Sequence, residues 1–454
     1  MRVVIVGAGE VGFHVANHLA LENIDVVVID KDRDTIRRIS ENTDVQTLIG
    51  SGSSPVVLEE AGIQNTDIIL AVTDSDETNL VACLVANMIS PTTKKLARIR
   101  DADYDKYHEM FSAHAPHIDT IINPEIEVIK TIHQFMNTPG AVDVGEFAAG
   151  RLKFVGVNLD KDLQLAGVKL SDLPVLAGKA RPLIVAIVRE EELIIPHGDD
   201  CLLPGDLVYL ISEDHKLLDT LSALGKHHQP VNRVLIVGGG RIGFRLAALL
   251  EENSVQTKII EKNPDRCTLL AENLNKSVVL CGDGSDRSIL AEENIRDIDV
   301  VVTVTDNEET NILASLLGTR MGAGKSITKI SRFSYFPLMQ AIGIEQVVSP
   351  RLSAINSILH HIRRGKVLSA ISLKGQQAEV IEAVALETSA IVHKPLKDIS
   401  FPKGAVVAGI IRQEDIIVPS GNSVIEPGDR VIIFARRQAI PKVEKILSVK
   451  LEYF

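Results

Sequence analysis

Tryptophan is absent from the 454-residue chain, and aromatic residues make up only 4% of it. The core must therefore be aliphatic, as in the Val/Ile-rich strands of parallel sheets. Long apolar runs are scarce. The longest in the first half, residues 80–89, is about half of what a bilayer crossing needs. No secretory signal opens the chain, because Met1-Arg2 leads directly into Val3-Val4-Ile5-Val6. A soluble protein is expected, with any membrane role coming through a partner. Cysteine is limited to Cys83, Cys201, Cys267 and Cys281, without CxxC or Cys/His metal spacing, so reduced thiols are expected rather than a disulfide framework or a metal site. Basic residues are outnumbered 48 to 60, a formal charge of −12 that argues against nucleic acid as ligand.

What the chain has in abundance is self-similarity. Its length exceeds one ordinary domain, and 45% hydrophobic with 24% charged residues is a globular composition. Val3-Val4-Ile5-Val6-Gly7-Ala8-Gly9-Glu10-Val11-Gly12-Phe13 recurs as Val234-Leu235-Ile236-Val237-Gly238-Gly239-Gly240-Arg241-Ile242-Gly243-Phe244. Val28-Ile29-Asp30-Lys31 is echoed by Ile259-Ile260-Glu261-Lys262. The stretch Thr73-Asp74-Ser75-Asp76-Glu77-Thr78-Asn79 returns as Thr305-Asp306-Asn307-Glu308-Glu309-Thr310-Asn311. Beyond these, Leu203-Pro204-Gly205-Asp206-Leu207 matches Glu426-Pro427-Gly428-Asp429-Arg430 around a shared Pro-Gly-Asp. There Pro fixes φ and Gly supplies a positive φ, a turn before a strand.

The repeat therefore has two parts, an α/β half and a shorter β-rich half. Segments 1–137 and 232–362 read as Rossmann-like domains with doubly wound parallel sheets; 138–226 and 366–454 read as small α+β, β-rich modules. In the first Rossmann segment, strands are expected near 2–6, 25–29, 45–49, 67–72 and 95–99, and a helix after Pro124. In the first small module, strands are expected at 183–188, 193–195 and 207–211, with a helix near 213–224.

A lone GxGxxG is a weak signal. Here it occurs twice, each time after an apolar strand and before an amphipathic helix, with an acidic residue ending the next strand. Gly7 and Gly238 suit the tight turn, Gly9 and Gly240 let the backbone approach a pyrophosphate, and Gly12 and Gly243 let the helix pack close. Phosphates would then lie at a helix N-terminus, where unpaired N–H groups and the dipole favour anions. Asp30 and Glu261 would accept from ribose hydroxyls and repel a 2′-phosphate, favouring NAD(H), or ATP/ADP, over NADP(H). The plain alternative is a pair of βαβ units that keep their glycines for packing alone.

The candidate set for nucleotide contact also includes Ala8, Glu10, Val11, Lys31, Ser51, Thr73, Asp74 and Arg98 in the first copy. In the second it includes Gly239, Arg241, Ile242, Lys262, Asp283, Thr305, Asp306 and Lys329. Thr73-Asp74 and Thr305-Asp306 follow the fourth strand, at the edge where open α/β sheets bind ligands, while Asp74 or Ser75 equally suits the N-cap of the following helix. Arg98 and Lys329 end the fifth strand, where a cation would meet either phosphate or a carboxylate. Asp283 has only Ser51 as its counterpart.

These motifs, duplicated and paired with two Pro-Gly-Asp modules, resemble the regulator of potassium conductance (RCK) domain family in its tandem form. The resemblance covers essentially the whole chain. It implies a peripheral subunit on the cytoplasmic face of the cell membrane, assembled into a ring, expected to be a tetramer, beneath a membrane potassium-translocating partner. Nucleotide binding would change the ring and gate ion flux. Ser51, where the family more often has an acid, and Glu261 in place of Asp are departures, so the two copies are not expected to bind alike. The competing reading is an NAD-dependent oxidoreductase, which needs an acid/base and an anion clamp beside the nicotinamide. No concentrated His/Lys/Arg constellation supplies one; His227-His228 and His360-His361 read as solvated or linker residues. No catalytic residue and no metal ligand is assigned.

Overall fold

The computed structural model describes residues 1–22, 24–160, 166–172, 183–190, 192–362, 367–373 and 378–447. Within the two small modules inferred from sequence, residues 161–165, 173–182, 191, 366, 374–377 and 448–454 lie outside the described residues.

Both α/β halves form six-stranded, all-parallel sheets of one topology, with spatial order 3-2-1-4-5-6 counted along each half. The first uses Arg2–Val6, Asp25–Asp30, Gln46–Ile49, Ile68–Ala71, Lys94–Arg98 and Thr120–Ile122. The second uses Arg233–Val237, Gln256–Glu261, Val278–Cys281, Val300–Thr303, Lys325–Lys329 and Gln346–Val348. Val3, Val4 and Ile5 are wholly buried, as are Val234, Leu235 and Ile236, because helices cover both faces of a parallel sheet. The expected strands match to within a residue or so. The three-residue sixth strand, Thr120–Ile122, is an addition too short to show an apolar period.

The small modules are five-stranded and antiparallel. The first has the order Glu192–Ile194, Leu183–Arg189, Leu207–Glu213, Leu152–Asn158, Ala141–Phe147. Its last two strands escape the sequence pattern because Gly145, Glu146 and Gly156 interrupt the apolar alternation. The Pro-Gly-Asp turns have the expected geometry, with Gly205 and Gly428 at φ +87° and +89°. Their aspartates do more than turn the chain. Asp206 is 1% exposed, and accepts two bonds from Arg189 (2.8 Å each) and one from Leu203 N (2.8 Å). Asp429 repeats this with Arg412 and Glu426 N. A buried carboxylate is tolerable because a forked guanidinium and a backbone donor satisfy it. Phe147, Phe154 and Tyr209 of the first module share one core with Val380, Ile432 and Phe434 of the second.

The chain divides into two compact units, and their composition differs from the sequence segments. One comprises Met1–Glu127 with Pro350–Arg364; the other comprises Val128–Ser349 with Gly365–Phe454. The helix Pro350–Ile362, assigned from sequence to the second Rossmann segment 232–362, packs in the first unit against the helix Glu10–Leu21. There Lys94 Nζ donates to His361 O at 3.0 Å. Reciprocally, Val128, Ile132 and Phe135, from the last helix of segment 1–137, join the core of Val234, Ile236 and Leu246 in the second unit. Lys325 Nζ donates to Phe135 O at 2.7 Å, a cation on the C-terminal carbonyls of that helix. Local periodicity marks a helix but not the sheet it covers.

Glu251 closes the helix Arg241–Glu252 by accepting from Asn275 N, Lys276 N and Ser277 N at 3.1, 2.8 and 2.6 Å. Burial acts to raise its pKa, but these backbone bonds prevail and bring it down to about 2. A folded-state pKa below the unfolded value gives stability that is present above pH 4.5 and lost as pH falls toward about 2. Urea unfolding should therefore show Glu251→Gln destabilised by about 1–3 kcal/mol at pH 7. The gap from the parent should narrow as pH drops below 4.5; a gap independent of pH would show that the charge is not what matters.

Candidate nucleotide-binding sites

At the carboxyl edge of each sheet the three motif glycines play different parts. Gly7 has φ +108°, and a Cβ built on it would lie 2.9 Å from Thr73 N; at Gly238 the values are +109° and 2.8 Å to Thr305 N. A Cβ on Gly12 would lie 1.9 Å from Gly7 O, and one on Gly243 equally close to Gly238 O. These four are requirements of the fold. Gly9 and Gly240 are not. Both are extended (φ −62° and −68°), and a Cβ on either meets nothing within 4 Å. Each is a helix N-cap without a capping side chain, so the first-turn N–H groups open onto that free space. Val11 and Ile242 are 5% and 6% exposed, so their side chains serve the core and only backbone N–H groups remain to offer a ligand.

The acidic residue ending strand two is fixed to this loop. Asp30 Oδ2 accepts from Ala8 N at 2.6 Å, and Oδ1 from Asp32 N at 2.9 Å. Glu261 makes the same pair of bonds, to Gly239 N and Asn263 N, both at 2.8 Å. Its extra methylene is accommodated by glycine at 239, where a Cβ would lie 2.3 Å from Leu270 Cδ1 and 3.2 Å from Glu261 Cβ. An ionised carboxylate has about four lone-pair sites, so each can still accept from ribose hydroxyls.

After strand four, Thr73 is bracketed by Asn79, a residue outside the sequence-based set. Asn79 Oδ1 accepts from Thr73 N (2.9 Å) and Oγ1 (2.7 Å), while its Nδ2 donates to Thr73 O and Arg98 O. Asn311 repeats every one of these bonds with Thr305 and Lys329 O. The signal was present as the constant six-residue Thr-to-Asn spacing in both copies. The helix caps fall on Ser75, one of the two residues expected there, and on Asn307.

Arg98, 8% exposed, donates through Nη2 to Thr73 O (2.7 Å) and to Asp74 Oδ1 (2.8 Å). Burial pulls its guanidinium below its usual pKa, against the opposing pull of Asp74. Lys329 Nζ lies 3.3 Å from Asp306 Oδ1. Both edge cations thus pair with a carboxylate that is fully exposed. Such a partner is held weakly.

The copies differ around the third strand. Asp283 accepts from Ser285 Oγ (2.6 Å), Ser285 N (2.9 Å) and Lys262 Nζ (3.0 Å), bonds that hold its carboxyl near about 2. In the first copy Ser51 Oγ meets Ser53 Oγ at 2.8 Å, and Lys31 is exposed. At the helix start, Glu10 pairs with Arg38 (3.1 Å), whereas Arg241 places a cation at the equivalent position. Of the histidines, His227 Nδ1 pairs with Ser222 Oγ and His361 Nδ1 with Ser357 O of its own helix. Neither bond involves a motif residue.

A tandem pair of such Rossmann sites, each linked to a small antiparallel module, defines the class. Residues 3–124 and 234–350 match the TrkA-N domain, and residues 380–448 the TrkA-C domain. The Trk system potassium uptake protein TrkA homolog 2 of Methanosarcina mazei is 38% identical over 456 residues, covering 99% of this chain and 100% of that protein. The Trk system potassium uptake protein TrkA of Halomonas elongata is 37% identical over 458 residues, covering 100% of both. Among solved structures, the GsuK RCK domain superposes with a TM-score of 0.60 at 17% identity, over 98% of this chain and 94% of that one. The GsuK channel bound to NAD gives 0.60 at 16%, over 98% and 78%. The chain belongs to the TrkA family of Trk system potassium uptake proteins.

The glycine geometry separates fold from site. Gly12→Ala should lower stability by about 1–3 kcal/mol or more, because helix and loop must move apart. Gly9→Ala should stay within about 0.5 kcal/mol of the parent. Urea midpoints measure both, and equal effects would contradict the distinction.

Proposed function

We propose that the protein is a nucleotide-sensing regulatory subunit of a membrane potassium uptake system, binding NAD(H), or ATP/ADP, at both TrkA-N domains. The observation carrying this reading is the duplicated arrangement of an open, extended glycine at a helix N-terminus beside a carboxylate anchored to the same loop. The helix N-terminus offers N–H donors and a positive dipole end to phosphate. Asp30 or Glu261 takes the ribose hydroxyls and disfavours a 2′-phosphate, which selects NAD(H) over NADP(H). Arg98 and Lys329 would exchange an exposed aspartate for ligand phosphate. A cation at Arg241 instead of Glu10 favours the more highly charged nucleotide in the second domain.

The relatives' names point to potassium uptake. Among the described residues no helix is long and apolar enough to cross a membrane, so translocation would belong to a partner. In this reading the chain is peripheral on the cytoplasmic face and works as a ring, expected to be a tetramer. It is a sensor and not an oxidoreductase: the motif residues supply phosphate and ribose contacts but no acid/base pair for hydride transfer.

A ligand biases a two-state assembly only through a difference in affinity between the states, and the coupling is reciprocal. Co-reconstitution with the cognate transporter should therefore show flux that changes with NADH or ATP, and nucleotide affinity shifted by the transporter to the same extent. Flux and affinity that ignore each other would overturn the gating role. In the isolated protein, Asp30→Ala should weaken NADH binding at the first domain by about tenfold to a hundredfold, the loss of a hydrogen bond to a charged acceptor. No variant should show NADH oxidation at enzymatic rates; turnover abolished by Gly9→Val would favour the oxidoreductase.

A further inference from the structure

The second Rossmann domain carries a pair of cysteines where the first carries a pair of isoleucines. Counting from the acidic residue of strand two, Cys267 stands where Ile36 stands; Cys281 pairs in register with Glu261 as Ile49 does with Asp30. In both copies the first position is buried and the second exposed. Cys267 Sγ donates to Glu261 O at 3.2 Å, and Gly282 N, next in chain to Cys281, donates to the same oxygen at 2.8 Å. The helix bearing Cys267 and the strand end bearing Cys281 therefore converge on one carbonyl. That carbonyl belongs to the residue expected to hold the ribose.

We infer that Cys267 and Cys281 form a redox-responsive thiol pair, closed to a disulfide by hydrogen peroxide, that lowers nucleotide affinity at the second TrkA-N domain. Exposed Cys281 reacts first. Its sulfur attacks one peroxide oxygen, the O–O bond breaks, and sulfenic acid and water result. Cys267 Sγ then attacks the Cys281 sulfur; the S–O bond breaks, the S–S bond forms, and the hydroxide leaves as water with the Cys267 proton. Two thiols and one hydrogen peroxide thus give one disulfide and two waters. The order fits the thiols' surroundings: burial, the adjacent Cys281 thiol and Glu261 push Cys267 up to about 11, which suits a resolving partner better than an initial nucleophile.

The link to the site runs through the helix Pro264–Asn273. Its N-cap residue Asn263 gives its N–H to Glu261 Oε1, and its Leu270 lies over Gly239. A disulfide removes the Sγ donor from Glu261 O and draws this helix toward the end of strand Val278–Cys281. Both the carboxylate and the glycine loop are then displaced. The first domain, with Ile36 and Ile49, cannot respond.

The effect on affinity rests on the nucleotide-binding reading; disulfide formation does not. The experiment treats the reduced full-length protein with hydrogen peroxide, maps cross-linked peptides by mass spectrometry, and titrates ADP and NADH before and after oxidation in a Gly9→Val background. We expect a Cys267–Cys281 peptide that disappears in Cys267→Ser and in Cys281→Ser, and returns to free thiols with dithiothreitol. Nucleotide affinity should fall about fivefold or more on oxidation, within the usual range of coupling between sites, and stay unchanged in Cys281→Ser. Oxidation confined to Cys281, or a disulfide that leaves affinity as it was, overturns the inference. Reduced protein that binds neither nucleotide but forms the disulfide overturns the functional reading and the coupling, and leaves the thiol chemistry standing.

Discussion

Backbone contact between Gly12 and Gly7, repeated between Gly243 and Gly238, is the constraint on which each site depends. A single added Cβ would sit 1.9 Å from the opposing carbonyl oxygen, so helix and loop are as close as two backbones can pack. That closeness drops the helix N-terminus to the level of the strand ends. It brings Gly7 beneath Thr73 and sets Ala8 N within reach of Asp30. Asn79 then ties Thr73 to the end of strand five through Arg98 O. The ends of strands one, two, four and five and a helix start are fixed mutually, and the open face left at Gly9 is bounded by rigid elements. A ligand at the proposed site would meet groups that need little ordering.

Much of this was legible in the sequence because the relevant signals are local. Four-residue apolar strands, glycine spacing, the acid ending strand two and Pro-Gly-Asp turns each act over fewer than about a dozen residues, the range at which pattern and propensity operate. What was not legible depends on distance. The exchange of the last helices between segments 1–137 and 232–362 leaves no local trace, since Val128 and Ile132 look alike whichever sheet they cover. The strands Ala141–Phe147 and Leu152–Asn158 are hidden by glycines and charges that only the finished antiparallel sheet accommodates. Asn79 was visible in the repeat but had no role until its side chain was seen to bind three backbone groups. Position alone suits Arg98 and Lys329 to either phosphate or carboxylate, and both are paired with an aspartate.

The two copies have kept the frame and diverged on it in compensated steps. Glu261 is longer than Asp30, and Gly239 is smaller than Ala8, so the carboxylate-to-loop bond survives. Asp283 replaces Ser51 and is held by Lys262 and Ser285. Arg241 reverses the charge of Glu10, and a cysteine pair replaces Ile36 and Ile49. None of these changes touches the glycines that make the fold. All of them lie around the proposed ligand site, so the two domains are proposed to read different inputs through one architecture.

Calorimetric titration of the purified full-length protein with NADH and with ADP tests this account most directly. Two sites per chain are predicted for the parent across the two ligands together. Gly9→Val should leave only the second-domain site, Gly240→Val only the first, and the double variant none, with the fold retained in all three by circular dichroism. One site per chain insensitive to both substitutions, or no binding by the folded parent, would contradict it.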